Sequence, residues 1–468
     1  MSKLNDFSIK DGVLKKYKGK DNDLVIPEGV TCIGEGAFYG CDSVVNVTIS
    51  NGVTKLGKNS FRDCKNLLSI SLPESLVDMG EWSFVGCEKL SDVTIPHGVT
   101  TIGEHMFFYC KKLKRVLIPE GVTSIGDGAF LSCSELEDVN LPSTLVNIGR
   151  AAFSRCLKLS MPKIPDRVEC IGGQAYMGCK AMADNNGMII VGNTLYGFEG
   201  DSRDVIVKGV SHVGELAFQN KTIKSVTIQE GVSSIEWGAF SGCDNLTKVV
   251  LPKSLIKIAK EAFDETGVYD KKSNWVEGGL YISNALIKVL PSQGSSFSVK
   301  DDTFLIGDMA LNECGKLNAV SSPILISCAA APKCSFGLLL RGEKYRYFAF
   351  SAKENCDNLS DFVNNASWDK YDSELINNGP TYKYSLSARL FGAMGRLLEP
   401  VLLTKENRAA YEELLVKNAK KLVSIAEQLR SADLLRDLFS LELLNEKAKK
   451  DIKKLVAAST VAEIAELE

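Results

Sequence analysis

The sequence predicts a parallel β-solenoid with β-hairpin caps, followed by a separate all-α helical domain. Three observations carry that reading. The line "IPEGVTSIGDGAFLSC" at 118–133 recurs as "IPHGVTTIGEHMFFYC" at 95–110 and as "IPEGVTCIGEGAFYGC" at 26–41. Its anchors follow one another at a constant step of 23 residues. From about residue 360 onward the repeat is gone and helical periodicity takes over. A period of this length marks a supersecondary turn whose apolar side is buried only by stacking on its neighbours.

Taken in order, the anchors are Ile26, Ile49, Leu72, Ile95, Ile118, Leu141 and Ile164, and the register resumes at Ile206, Ile228 and Leu251 and more weakly at Val299. Twelve residues after each anchor of the first series comes an aromatic, from Phe38 to Tyr176, and three further on a Cys, from Cys41 to Cys179. Within one turn, Val116 and Ile118 alternate and so share a strand face. Pro119 and Gly121 turn the chain, Val122 and Ile125 place a second apolar pair inside, and "GDGAF" forms a tight turn that inserts Phe130. Equivalent side chains of successive turns, about 4.8 Å apart, then form columns of Phe and of Cys. A free Cys is a small apolar residue often found buried, which suits a narrow interior slot.

The units "LxxVxIPxGVxxIGxxAFxxC" resemble the leucine-rich repeats of the BspA-like, Treponema-type class over roughly Leu24 to Val320. That resemblance implies a curved right-handed solenoid with its parallel sheet on the concave face, and a role in binding other proteins.

Three segments depart from the repeat and share a pattern of strand, turn and strand. Their turns fall at Asp11-Gly12, Gly192-Asn193 and Ser283-Asn284, which reads as β-hairpins. The domains are therefore 1–24, a hairpin cap; 25–186, seven repeats; 187–278, a hairpin and three repeats; 279–322, a hairpin and a degenerate repeat; and 323–468, the helical domain. In the last, Thr404 is a candidate N-cap, and Tyr411, Leu414, Leu415, Leu422, Ile425, Ala426 and Leu429 fall near one helix face. Ser431 and Asn445 are further candidate caps. This tail is similar to helical segments that follow the same repeats in bacterial proteins from gut Firmicutes.

Composition narrows the function. With 55 Lys and Arg against 58 Asp and Glu, no global field draws the chain to nucleic acid or to an anionic membrane. No apolar run approaches the ~20 residues of a membrane span, and the charged N-terminus "MSKLNDFSIKDG" reads as cytoplasmic. His97, His105 and His212 occupy non-equivalent slots without a nucleophile or ligand partner by spacing, and no phosphate-binding loop is present. We therefore expect no catalytic residue, metal or cofactor. An enzyme site would have to use the charges of Arg341, Glu343, Lys344 and Arg346, in the poorly patterned stretch 321–358.

What remains is surface. Positions one and three before each anchor should point to solvent, giving a small, polar ladder whose exceptions are Arg115, Leu117 and Met161. Together with Asp92, Asp138 and Asn140 these form the expected partner-binding site, for a protein first and a glycan second. The expectation is a non-enzymatic interaction scaffold, with a secreted or surface adhesin as the alternative and self-association through the helical domain as an additional role.

Overall fold

The computed structural model describes residues 4–290, most of 296–351, 386–398 and most of 403–457, with single positions up to 464. It comprises two compact units, one of residues 1–224, 235–245 and 261–265, the other of 225–234, 246–260 and 266–468.

The first unit opens with the hairpin Phe7–Lys10 and Val13–Tyr17. Both of its turn residues, Asp11 and Gly12, have positive φ (52° and 72°), so the turn carries the twist that antiparallel strands need. The second strand pairs in parallel with Cys32–Ile33, and the cap thereby satisfies the open edge of the solenoid. Each later turn adds two short strands. Three-residue strands pair in register at 23–25, 46–48 and 69–71, and again at 92–94, 115–117 and 138–140. Two-residue strands such as Thr101–Ile102, Ser124–Ile125 and Asn147–Ile148 form a second parallel ladder. A second hairpin, Met188–Val191 and Thr194–Phe198, turns at Gly192-Asn193 as read from the sequence.

The aromatic column is present. From Phe38 to Tyr176 successive rings lie 4.7–5.6 Å apart with planes within 9° of parallel. It ends where Tyr196 meets Tyr176 edge-on at 82°, and a second column runs through Phe198, Phe218, Phe240 and Phe263. The turn that inserts each ring has a specific cause. Residues two before and two after the aromatic both take positive φ, as with His105 (49°) and Tyr109 (64°) around Phe107. The alternation points backbone groups along the stack, so Phe107 N–H donates to Ala129 O of the next turn at 2.8 Å. Glycine fills the first slot at Gly36 and Gly128, but Asn59, Trp82, His105 and Ala151 take the same conformation without it.

Two sequence assignments in the first unit need correction. Ile206 is 55% exposed while Val207 is buried, so Val207 is the anchor of its turn. The chain has lost one residue between anchor and turn, and two adjacent β-branched residues hid the shift. The strand ladder also stops early: residues 159–165 form no strand. Pro162 stands where Val116 and Val139 stand in preceding turns, and it has no N–H to give to the ladder.

The insertion at 187–198 leaves the turn edge of the first unit connected. Arg150 Nη2 lies 3.1 Å from Glu215 Oε2, and Gln174 Nε2 donates to the same oxygen at 3.2 Å.

In the second unit Ser225–Ile228 pairs in parallel with Lys248–Val250, and the third hairpin spans Gly279–Ile282 and Ala285–Val289 around Ser283-Asn284. The degenerate repeat closes as a full turn, with Val299, Leu311 and Cys314 buried. The sheet then continues into the stretch assigned to helices. Ala319–Ser322 pairs in parallel with Ser335–Leu340, which pairs antiparallel with Tyr347–Ser351. Short continuous apolar runs such as "FGLLL" carry no alternation, so periodicity alone could not tell them from buried helix.

Four helices follow among the described residues: α1 Leu386–Leu398, α2 Lys405–Leu429, α3 Asp433–Ser440 and α4 Glu446–Ala457. Thr404 caps α2, its Oγ1 accepting from Asn407 N–H at 3.1 Å. Tyr411, Leu415, Leu422, Ile425, Ala426 and Leu429 are buried on one face, in a core shared with α1 and Ala319. Ser431, Asn445 and 341–346 lie outside the described residues.

Candidate functional site

The expected binding patch is built on three register-locked strands. Arg115 is the direct neighbour of Asp92 on one side and of Asp138 on the other, and Leu117 is flanked in the same way by Thr94 and Asn140. All six side chains are exposed, while Val93, Val116 and Val139 between them are buried. Arg115 Nε reaches Asp92 Oδ1 at 3.4 Å, but with 73% and 54% of the two side chains exposed the pair adds little to stability. Leu117 is 58% exposed on a strand paired on both sides. The ladder runs on toward the N-terminus as a hydrogen-bonded row, Ser69 Oγ to Asn46 Oδ1 at 2.7 Å and Asn46 Nδ2 to Asp23 Oδ1 at 2.6 Å. Met161 is exposed but lies past the last strand of this sheet, and does not join the other five predicted residues.

From Cys64 to Cys179 the Cys column is buried. Each thiol from Cys64 to Cys179 donates to the carbonyl of the aromatic in the preceding turn, over 3.0–3.2 Å, as Cys133 Sγ does to Phe107 O at 3.1 Å. Burial pushes Cys64 and Cys179 up to about 12 and raises Cys87, Cys110, Cys133 and Cys156 as well, so the thiolate needed for attack or metal binding is suppressed. The sequence reading of Cys as an apolar filler was thus incomplete, because the slot also calls for a weak donor. Among the described residues no group of three or more His, Cys, Asp and Glu could hold a metal ion, and no helix is long and apolar enough to cross a membrane.

The histidines are dispersed. His97 is exposed beside Glu74, with Nδ1 3.2 Å from Oε2, His212 is half-buried in a two-residue strand, and His105 stacks on Trp82. Beside the second hairpin a groove of about 670 Å³ is lined by both signs of charge, including Lys180, Asp184, Glu199 and Lys208. Asp184 there is engaged by the N–H groups of Asn186 and Met188, both at 2.8 Å.

A feature that sequence reasoning missed lies along the positive-φ turns. The Arg62 guanidinium sits between the rings of Tyr39 (5.9 Å) and Trp82 (5.6 Å), and Trp82 stacks on His105 at 4.4 Å. Phe108 meets His105 edge-on, and the Lys111 ammonium lies 4.2 Å from the ring centre of Tyr109 while pairing with Glu88 at 2.9 Å. These residues occupy the variable slots around the conserved-looking Phe spacing, which is why the repeat pattern averaged them away. Their signal was available: aromatics at turn positions in three of the first four repeats.

The chain is 31% identical to the leucine rich repeat protein TpLRR of Treponema pallidum, over 39% of this chain and 91% of that one, with a TM-score of 0.38. It is similar to a leucine rich cell surface protein of Faecalibacterium prausnitzii at 20% identity, covering 74% of this chain and 93% of that one with a TM-score of 0.38. A leucine-rich repeat protein of Bacteroides ovatus is 22% identical over 69% of this chain and 91% of that one, with a TM-score of 0.39. No curated protein matches significantly. The BspA type leucine rich repeat region matches in six copies at residues 8–133, 107–186 and 205–273. With over half of its length so matched, the chain belongs to the BspA type leucine rich repeat family.

Proposed function

We propose that this protein is a non-enzymatic scaffold that binds a partner protein on the three-stranded patch of Asp92, Arg115, Asp138, Thr94, Leu117 and Asn140. The exposed Leu117, held on a register-locked sheet and ringed by hydrogen-bonding groups, carries the reading. An apolar anchor inside a polar rim is the arrangement from which interface energy is drawn, and a sheet fixed in advance loses little entropy on binding. We place the protein inside the cell, a reading supported by unbridged cysteines in the described chain, which suit a reducing compartment.

The test is affinity capture from lysate of the source organism with the full chain and with the double variant Arg115→Ser, Leu117→Ser, followed by titration of each purified candidate. A partner that the variant binds at least about tenfold more weakly supports the reading. Equal binding by both chains refutes the site. Recovery of the protein on the cell exterior after fractionation would replace the intracellular scaffold with an adhesin.

A further inference from the structure

We propose that the aromatic row on the turn edge is a docking surface for an extended, arginine-bearing peptide segment of a partner protein. This surface is distinct from the strand patch, since it is built from the positive-φ turns and not from the three-residue strands.

The structure already shows which chemical group the row accepts. The Arg62 guanidinium carbon is 5.9 Å from the Tyr39 ring centre and 5.6 Å from that of Trp82, and the group is held by Asn59 Oδ1, 3.2 Å from Nη1, with Asp63 Oδ2 3.5 Å from Nε. Lys111 repeats the arrangement on Tyr109 with Glu88 as its counter-ion. A cation over a ring with a carboxylate beside it is thus the local binding mode, used twice along this row. Ring surface remains beyond these two, because Tyr39 is 50% and Tyr109 42% exposed.

Charge selects the occupant. Parallel to the rings runs a row at the 23-residue step: Glu35, Lys58, Glu81, Glu104, Asp127 and Arg150, all exposed. It holds four carboxylates against two cations, and both cations are engaged, Lys58 with Glu81 at 3.3 Å and Arg150 with Glu215 at 3.1 Å. Successive turns repeat every ~4.8 Å, less than the ~6.6–6.8 Å between same-face side chains of an extended strand, so an extended segment lying along the row meets a carboxylate or a ring at some turns and passes over others. Guanidinium suits this surface better than ammonium, since it stacks on a ring and hydrogen-bonds a carboxylate at once. The row is also pre-ordered: His105 leans over Gly128, where a Cβ would lie 2.7 Å from its Nε2, so the stack is locked at its far end.

The experiment uses the full chain and three synthetic twelve-residue peptides alternating Gly with Arg, Lys or Glu, followed by Trp fluorescence and calorimetry. The variants take residues found at the same slots of other turns, so the fold is retained: Trp82→Asn, as at Asn59, with Tyr39→Ser, as at Ser241, and separately Glu81→Gln with Glu104→Gln. We expect the Arg peptide to bind more tightly than the Lys peptide, and the Glu peptide not to bind. The aromatic variant should lose about tenfold in affinity together with its preference for Arg, and the carboxylate variant should bind more weakly with a shallower salt dependence. The strand-patch variant Arg115→Ser, Leu117→Ser should bind the Arg peptide unchanged. Equal affinity for Arg and Lys peptides in the parent chain, or an aromatic variant that binds as the parent does, would overturn the proposal by reducing the interaction to net charge.

Discussion

Cys133 Sγ donates to the carbonyl oxygen of Phe107, 3.1 Å away and one turn back, and the same oxygen accepts the N–H of Cys110, also at 3.1 Å. The two columns are therefore one device: each thiol ties its turn to the aromatic of the turn before. Replacing Cys133 by Ala should cost about 1–3 kcal/mol, from the lost bond and the small void. Ser should recover part of that loss as a donor of similar size, a ranking that urea unfolding of the three chains would check.

The raised thiols impose a direction on alkaline stability. Their protons are held by the native state above the ordinary thiol value near 9, with Cys64 and Cys179 at about 12. The stabilisation is complete below pH 9 and is lost as pH rises from there toward the native values. Each buried thiol should contribute a fall of about 1.4 kcal/mol per pH unit in that window. Thermal melts at pH 8 and pH 10.5 should show a smaller drop for Cys110→Ala with Cys133→Ala than for the parent chain.

Removing one ring from the stack should leave a cavity. Phe130 is fully buried between Phe107 and Phe153, and Phe130→Ala is expected to cost about 3–5 kcal/mol. An unshifted melting temperature would contradict the packing described.

Close backbone approach between turns makes another position sensitive. A Cβ on Gly149 would lie 2.5 Å from Asp127 N and 2.6 Å from Gly126 C, whereas one on Gly192 would meet nothing within 4 Å. Gly149→Ala should force the two turns apart and destabilise by about 1–3 kcal/mol. Gly192→Ala bears only the positive-φ penalty of about 1 kcal/mol. Denaturation midpoints of the pair give the comparison directly.

Acid acts on a different set. Hydrogen bonds from Ser143 hold the Glu120 carboxylate below its usual value, and those from Lys253 and Ser254 do the same for Glu230. A depressed native pKa stabilises above the ordinary carboxylate range near 4.5, and that contribution disappears as pH falls through the native value. The gap in melting temperature between the parent chain and Glu120→Gln should thus be widest at neutral pH and shrink as pH falls below the ordinary carboxylate value near 4.5.

How much of this was legible in the sequence depended on repetition. Phe107, Cys133 and the buried valines recur at fixed steps, so their columns were readable without coordinates, as were Thr404 and the turn residues Asp11 and Ser283, whose local chemistry has few alternatives. Single-copy features were harder. Trp82 and His105 occupy a slot filled by Gly, Asn and Ala elsewhere, and a pattern built on agreement discards such positions. The shift to Val207 was masked by an equally apolar Ile206. Pro162 was visible as a residue, but its effect on Met161 required weighing a missing N–H against the register of the ladder.

The contact of Arg150 and Gln174 with Glu215 spans an interval that includes the whole second hairpin. A Cβ on Gly173 would lie 2.4 Å from Glu215 Cδ, so the seam between the older and newer turns closes to contact distance despite the extra chain. Phase along the stack is consequently independent of sequence length. Segments can be spliced between turns, provided their ends meet, and the lattice of side chains resumes on the far side as though nothing had been added.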